Sequence, residues 1–201
     1  MTHFLYPVME HFYTIQGEGA YAGVPAYFVR LAGCNVGCVW CDVKESWDAE
    51  GFPTMSGKEI ANLAKNSGAV TTVITGGEPA IYDLGELTQS LQDCGMRVHI
   101  ETSAAYEIKG HFDWITISPK KFKFPLPSEL PKADELKIIV FNKSDLQWAL
   151  EFESLVKTNA KLLLQPEWDK RNEVLPLIIE FVKNHPKWRI SLQTHKYIGV
   201  P

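Results

Sequence analysis

Three cysteines fall within eight residues in Gly33-Cys34-Asn-Val-Gly-Cys38-Val-Trp-Cys41-Asp42, and a fourth, Cys94, stands far away. Thiolates are soft ligands, and three on one short loop can grip three irons of a cubane [4Fe–4S] cluster. Cys94 is placed near the end of a helix, one residue before its stop glycine, on the side of the sheet away from this loop. The fourth iron would then lack a protein ligand and stay open to a small molecule. Two other chemistries compete for the same residues. Structural zinc wants four protein ligands in paired C-x2-C spacing, and the nearest histidine in sequence is His11. A thioredoxin-type pair, Cys38-Val-Trp-Cys41, leaves the third cysteine without a role. Clustered free thiols of this kind belong to a reducing, cytoplasmic setting.

Short apolar runs must carry that loop: Tyr27–Leu31, Val70–Thr75, Arg97–Glu101, Trp114–Ser118, Leu136–Phe141, Lys161–Gln165 and Trp188–Gln193. Several are continuous, as in VTTVIT and LKIIVF, the habit of parallel strands covered on both faces. The cysteine loop follows Tyr27–Leu31, taken here as the first strand. Helices alternate with the strands. Ser56-Gly-Lys-Glu59 is a capping box opening a helix through Ile60, Leu63 and Ala64, with Gly68 past its end. Leu84, Leu87 and Leu91 form one helical stripe closed by Gly95. Ser144 or Asp145 can cap a helix through Leu146, Ala149, Leu150 and Phe152. Asn172 can start another through Leu175, Ile178, Ile179 and Val182, ended by His185-Pro186. Between Glu101 and Leu136 there is a strand and the Pro-rich KFPLPSELP but no helix. A complete eight-unit α/β barrel needs about 250 residues. The expectation is therefore α/β: an incomplete, partial TIM-like barrel of parallel strands with some helices missing.

In such folds ligands lie beyond the carboxyl ends of the strands. Those ends supply Gly76, Gly77 and Glu78; Glu101, Thr102 and Ser103; Ser118 and Lys120; Gln165; and Gln193 and His195. The 201 residues fit one domain, 1–201. Twenty Lys+Arg against 24 Asp+Glu give 20 − 24 = −4, with no broad basic surface for a nucleic-acid backbone. No apolar run reaches the roughly 18 residues of a membrane span. The N-terminal MTHFLYPVMEHF lacks the features of a secretory signal, so a soluble cytoplasmic protein is expected.

A second motif narrows the cysteine chemistry. Thr75-Gly76-Gly77-Glu78-Pro79 follows the next strand. C-x3-C-x2-C on one strand-end loop and Gly-Gly-Glu-Pro on the next resemble the radical S-adenosylmethionine (SAM) superfamily. There the unliganded iron chelates the amino and carboxylate groups of SAM, and the Gly-Gly-Glu-Pro segment helps hold the amino group. The resemblance extends over nearly the whole chain to the 7-carboxy-7-deazaguanine synthase family. It is carried by Tyr13-Thr-Ile-Gln16-Gly17-Glu18-Gly19, Val24-Pro25, Phe28-Val-Arg30-Leu-Ala-Gly33-Cys34 and Cys38-Val-Trp40-Cys41-Asp42. Glu101-Thr-Ser103, Ser118-Pro-Lys120, Leu164-Gln165-Pro166 and Gln193-Thr-His195-Lys196-Tyr197 continue it.

The resemblance implies a radical SAM lyase that converts 6-carboxy-5,6,7,8-tetrahydropterin to 7-carboxy-7-deazaguanine with release of ammonia, toward queuosine and related deazapurines. An electron from flavodoxin or ferredoxin would reduce the cluster. SAM would then yield a 5′-deoxyadenosyl radical that abstracts hydrogen from the pterin, and SAM would be regenerated. Ile15, Gln16 and Gly17 would border the pterin, Arg30 would pair with its carboxylate, and Thr75 and the carboxylate of Pro201 would reach the substrate. Cys34, Cys38 and Cys41 would hold the iron. Trp40, Asp42, Gly77, Glu78, Ser118, Pro119, Lys120, Gln165, Pro166, Glu167 and Trp168 would surround SAM. The family also implies Mg2+ and a homodimer. One position departs from the pattern: the residue two after the third cysteine is commonly a metal-binding threonine, and here it is Val43, which has no side-chain oxygen. Two rivals remain open: a small radical SAM activase, which should lack the Gln16–Gly19 segment and the terminal Gln-Thr-His-Lys, and a non-catalytic iron–sulfur carrier, which needs a fourth ligand.

Overall fold

A computed structural model of the chain describes residues 4–201. Nine strands share one sheet: β1 (Leu5–Ile15), β2 (Pro25–Leu31), β3 (Thr54–Ser56), β4 (Thr71–Gly76), β5 (Arg97–Thr102), β6 (Trp114–Ile117), β7 (Glu135–Val140), β8 (Lys161–Pro166) and β9 (Trp188–Ile190). Their order is β3-β1-β2-β4-β5-β6-β7-β8-β9. From β2 through β9 every neighbouring pair is parallel, whereas β1 runs antiparallel to both β2 and β3.

Helices α1 (Gly57–Asn66), α2 (Gly85–Asp93), α3 (Ser144–Glu153) and α4 (Arg171–Asn184) fill four of the crossovers. Ile60, Ala64, Leu87, Leu91, Ala149, Phe152 and Ile178 pack from these helices onto Ile74, Val98, Ile100, Ile117, Leu136, Ile138 and Leu164 of the strands. The links from β5 to β6 and from β6 to β7 contain no α-helix; the second holds a single 3-10 turn, Leu130–Lys132. Prolines in KFPLPSELP remove the backbone donors a helix there would need. Backbone and side-chain ties replace that helix. Leu126 N donates to Ala104 O (2.8 Å), and the buried carboxylate of Glu129 accepts from Ile108 N (2.9 Å) and Lys132 Nζ (2.7 Å). The expected partial barrel with missing helices is what forms.

Alternate residues of the parallel strands face inward, and that inner face is polar. Val73, His99, Glu101, Thr116, Glu135 and Lys137 line interior space, while the intervening Ile74, Ile100, Ile117, Leu136 and Ile138 belong to the outer core. The run LKIIVF is thus apolar on its helix-covered face and places a lysine on the other.

Several elements differ from the sequence reading. The strand before the cysteine loop is the second, because Leu5–Ile15 forms an 11-residue strand ahead of it. A bulge between Val8 and Glu10 interrupts its alternation, which hides it from a period-2 pattern. β3 and the five-residue α5 (Thr194–Ile198) are short enough to leave no periodic signal. β9 stops at Ile190, so Gln193 stands just before α5 rather than within a strand. Neither Ser144 nor Asp145 caps α3. Asn142 Oδ1 accepts from Ser144 N (2.9 Å), while Asp145 Oδ2 turns back to Phe141 N and Asn142 N (both 2.8 Å). α4 begins at Arg171, one residue ahead of Asn172, and Glu167 Oε2 accepts from Lys170 N (2.9 Å) at its start.

The capping box of α1 forms as expected: Ser56 Oγ accepts from Glu59 N (3.3 Å) and Ser56 N donates to Glu59 Oε2 (2.8 Å). Removing the hydroxyl in Ser56→Ala costs about 1 kcal/mol of stability, which lowers the thermal midpoint of a chain this size by about 2–4 °C. Circular dichroism melting of the apoprotein checks this; an unchanged midpoint contradicts a stabilising cap.

Candidate active site

Beyond the carboxyl ends of the parallel strands lies one cavity of about 280 Å3. Cys34, Cys38 and Cys41 border it on one side, at the end of β2. The loop is held there by backbone pairing, with Gly33 N to Ser46 O (2.7 Å), Cys34 N to Trp47 O (3.0 Å) and Glu78 N to Gly33 O (2.9 Å). Gly77 fits against it without a side chain. A Cβ there would lie 2.6 Å from Gly33 O and 2.7 Å from Cys34 Cβ, so the close approach of the two motif loops requires glycine. All four cysteines are free thiols. Cys94 lies just past α2 at its C-cap and is absent from the cavity wall. Burial pushes the Cys34 thiol up and the Cys38 thiol up to about 11. Among the described residues, no three His, Cys, Asp or Glu side chains are arranged to hold a single metal ion. Three free thiols on one loop at the cavity wall are the soft donor set that three irons of a cluster would take.

Glu78 is the anchor of the next loop. It is 1% exposed, and its carboxylate accepts from Ala80 N (3.0 Å), Ser103 N (2.8 Å), and the hydroxyls of Thr102 and Ser103. Four donors saturate it, so its side chain serves the site by tying the end of β4 to the end of β5. Ala104, at φ 58°, turns the chain back directly after these residues.

The cavity is also lined by residues from the ends of the first strands. Ile15, Gln16 and Gly17 at the end of β1, Arg30 on β2 and Thr75 on β4 all face the cavity, and Arg30 and Thr75 are in register across the two strands. Arg30 Nε donates to Glu10 Oε1 (2.6 Å), which leaves the two terminal nitrogens of the guanidinium for a ligand. Gln16 is buried; its Nε2 donates to Glu101 Oε1 (3.0 Å) and its Oε1 accepts from Glu18 N (3.0 Å). At Gly17 a Cβ would lie 2.1 Å from His195 Nδ1, so the glycine admits the histidine.

The C-terminal segment crosses the rim. Thr194 donates to Gly17 O through both N (2.8 Å) and Oγ1 (2.9 Å), Lys196 Nζ pairs with Asp42 Oδ2 (3.1 Å), and Thr14 Oγ1 donates to Pro201 O (3.2 Å). Pro201 thereby reaches the cavity wall. Burial lowers the His195 imidazole, leaving it neutral near pH 7.

Of the residues read from the sequence, Trp40, Asp42, Gly77, Glu78, Ser118, Lys120, Gln165, Pro166, Glu167 and Trp168 also border this cavity. Lys120 Nζ donates to Ser118 Oγ (2.6 Å) and lies 5.5 Å over the Trp40 ring; burial lowers its ammonium. Trp168 is flanked by Arg171, 4.2 Å over its ring, and by Tyr197 edge-on at 5.2 Å. Pro119 is the exception. It is buried between Ser118 and Lys120 but does not reach the wall. The sequence reading assigned no role to Lys137, which also faces the cavity. It sits inside an apolar run and carried no motif. Its partners are Glu18 (2.5 Å) and Glu101 (3.4 Å). Burial would raise the Glu18 carboxyl, but Lys137 overrides it and holds it at about 2. Burial alone would lower Lys137; the surrounding Glu101, Glu18 and Glu135 raise it instead.

Comparison with known proteins agrees with this geometry. The radical SAM superfamily model matches residues 29–122. The chain is 51% identical over 196 residues to a 7-carboxy-7-deazaguanine synthase of Flavobacterium psychrophilum, covering 97% of this chain and 92% of the relative. It is 44% identical to one of Synechocystis sp., covering 97% and 93%. A crystal structure of QueE from Escherichia coli superposes with a TM-score of 0.85 at 34% identity, covering 95% of each chain. The chain belongs to the 7-carboxy-7-deazaguanine synthase family of the radical SAM superfamily.

Proposed function

We propose that this protein converts 6-carboxy-5,6,7,8-tetrahydropterin to 7-carboxy-7-deazaguanine with release of ammonia, in the biosynthesis of queuosine and related deazapurines. One observation carries the reading: a single cavity is lined both by the three-thiol loop and by Arg30, Gln16, Glu18 and Glu101. A guanidinium matches a carboxylate in fork geometry. Carboxylate and amide acceptors suit the N–H-rich aminopyrimidinone edge of a pterin.

The donor set fits a [4Fe–4S] cluster held by Cys34, Cys38 and Cys41. SAM would lie among Trp40, Asp42, Gly77, Glu78, Ser118, Lys120 and Gln165–Trp168. When bound, the cluster and SAM supply the one-electron radical chemistry. The chain's own part is to orient and shield. Arg30 fixes the carboxylated end of the substrate, the terminal carboxylate of Pro201, steadied by Thr14, offers acceptors to substrate N–H groups, Thr75 lies beside Arg30, and neutral His195 borders the pterin against Gly17. The reductant would be flavodoxin or ferredoxin and the assembly a homodimer in the cytoplasm. No described helix is long and apolar enough to cross a membrane.

Mg2+ does not fit the residues present in the same way. Val43 borders the cavity without a side-chain oxygen, and the Asp42 carboxylate, 59% exposed, is engaged by Lys196.

Three outcomes are expected. After anaerobic reconstitution, Cys94→Ala keeps wild-type iron content, whereas Cys34→Ala, Cys38→Ala and Cys41→Ala each lose the cluster; cluster loss in Cys94→Ala contradicts the three-thiol site. Arg30→Ala weakens binding of the carboxylated pterin about 10- to 150-fold, the range for losing a charge-assisted contact of about 1.5–3 kcal/mol. Cluster content and SAM affinity stay near wild type, and unchanged pterin affinity removes Arg30 from the site. Finally, Val43→Thr supplies a hydroxyl at nearly constant volume, so Mg2+ stimulation of turnover increases over wild type in chelator-treated protein. A strong wild-type Mg2+ requirement left unaltered by the hydroxyl shows that residue 43 does not decide metal use.

A further inference from the structure

Lys137 is 4% exposed and projects from the inner face of β7 into a nest of acidic groups. Its ammonium pairs with Glu18 from the loop after β1 and with Glu101 from the end of β5. Glu135, two residues earlier on the same face of β7, is buried and accepts from Ala20 N (2.8 Å). Lys120 from the loop after β6, His195 from α5, His99 on β5, Tyr21 from the turn after β1, Glu78 and Cys38 from the motif loops and Arg30 on β2 are other titratable or charged groups bordering this space. Three carboxylates against one buried ammonium is more acid than a pair needs. The second oxygens of the two cavity carboxylates explain the excess. Glu101 Oε1 accepts from Gln16 Nε2 (3.0 Å), and Glu18 Oε1 accepts from Gln193 Nε2 (2.8 Å). One arm therefore leads from Lys137 to Gln16 at the end of β1, and the other to Gln193, immediately before α5.

We infer that Lys137 is a positioning residue: by pairing with Glu18 and Glu101 it fixes Gln16 and Gln193, and so sets the hydrogen-bonding pattern that the cavity floor presents to an N–H-rich substrate edge. The inference rests on the reading above, in which that edge belongs to a pterin. Without the ammonium, Glu18 and Glu101 are like charges sharing a buried space, and one of them must take up a proton or swing away. Either change alters the acceptors on the floor while leaving the cysteine loop untouched.

The test is Lys137→Met in the full-length, cluster-reconstituted enzyme, compared with wild type and with Glu18→Gln/Lys137→Met, which removes the ammonium and one carboxylate charge together. The readouts are the KM and kcat for the carboxylated pterin between pH 6 and 8, SAM affinity and iron content. In Lys137→Met, KM is expected to rise at least 10-fold at pH 8 and to become pH-dependent, increasing with pH. Iron content and SAM affinity stay within about 2-fold of wild type. Wild-type KM is flat over the same range. The double variant loses the pH dependence, because the repulsion between the two carboxylates is gone, while its KM stays raised by the loss of the Glu18 carboxylate from the floor. A purely structural role would lower the melting temperature without creating a KM-specific, pH-dependent defect. If Lys137→Met does not fold, the double variant decides: a KM independent of pH between 6 and 8 supports the inference, and a KM that rises with pH overturns it. An unchanged, flat KM in folded Lys137→Met overturns it outright. Absence of any pterin turnover by the wild type would instead remove the functional reading itself.

Discussion

The ion pair between Lys137 and Glu18 is the contact on which the interior of this barrel depends. A sheet curled around its own side chains ordinarily fills its middle with apolar groups. Here the inner face carries Glu101, Glu135 and Lys137, and charged groups are tolerable inside only when they are paired. Lys137 supplies that pairing, holding Glu18 at about 2 against the burial that would raise it. The outer face stays an ordinary apolar core between strands and helices. The barrel is therefore two-sided in function: stability sits outside, between sheet and helices, and recognition sits inside.

Two close approaches join that interior to the thiol loop. Gly77 lets the loop after β4 lie against Cys34, and saturated Glu78 locks the ends of β4 and β5 together through Thr102 and Ser103. On the far side, Gly17 receives His195, and Thr194 ties the C-terminal segment to Gly17 O. Each contact places a motif residue by packing two loops that are distant in sequence. A cavity lined by both the thiols and the Arg30 guanidinium follows from those contacts.

Much of this was legible from residue types alone. C-x3-C-x2-C and Gly-Gly-Glu-Pro at successive strand ends locate the chemistry, and helix signals at Ser56-x-x-Glu59 and Leu84/Leu87/Leu91 locate the outer layer. What stayed hidden has physical reasons. β1 is broken by a bulge, so its pattern does not repeat every second residue. Lys137 reads as an interruption in LKIIVF because a one-dimensional pattern does not separate the two faces of a strand. Glu78 reads as a ligand-facing acid, yet its partners Thr102 and Ser103 are 24 and 25 residues away and meet it only through the parallel pairing of β4 and β5. The engagement of Asp42 by Lys196 spans 154 residues and is equally invisible in the sequence.

The most direct measurement is anaerobic turnover by the reconstituted wild-type protein with SAM, reductant and 6-carboxy-5,6,7,8-tetrahydropterin, following 7-carboxy-7-deazaguanine and ammonia together. The account predicts equimolar formation of both, dependent on the cluster and on SAM, with SAM not consumed in proportion to product. Cleavage of SAM to methionine and 5′-deoxyadenosine while the pterin is recovered unchanged would contradict it.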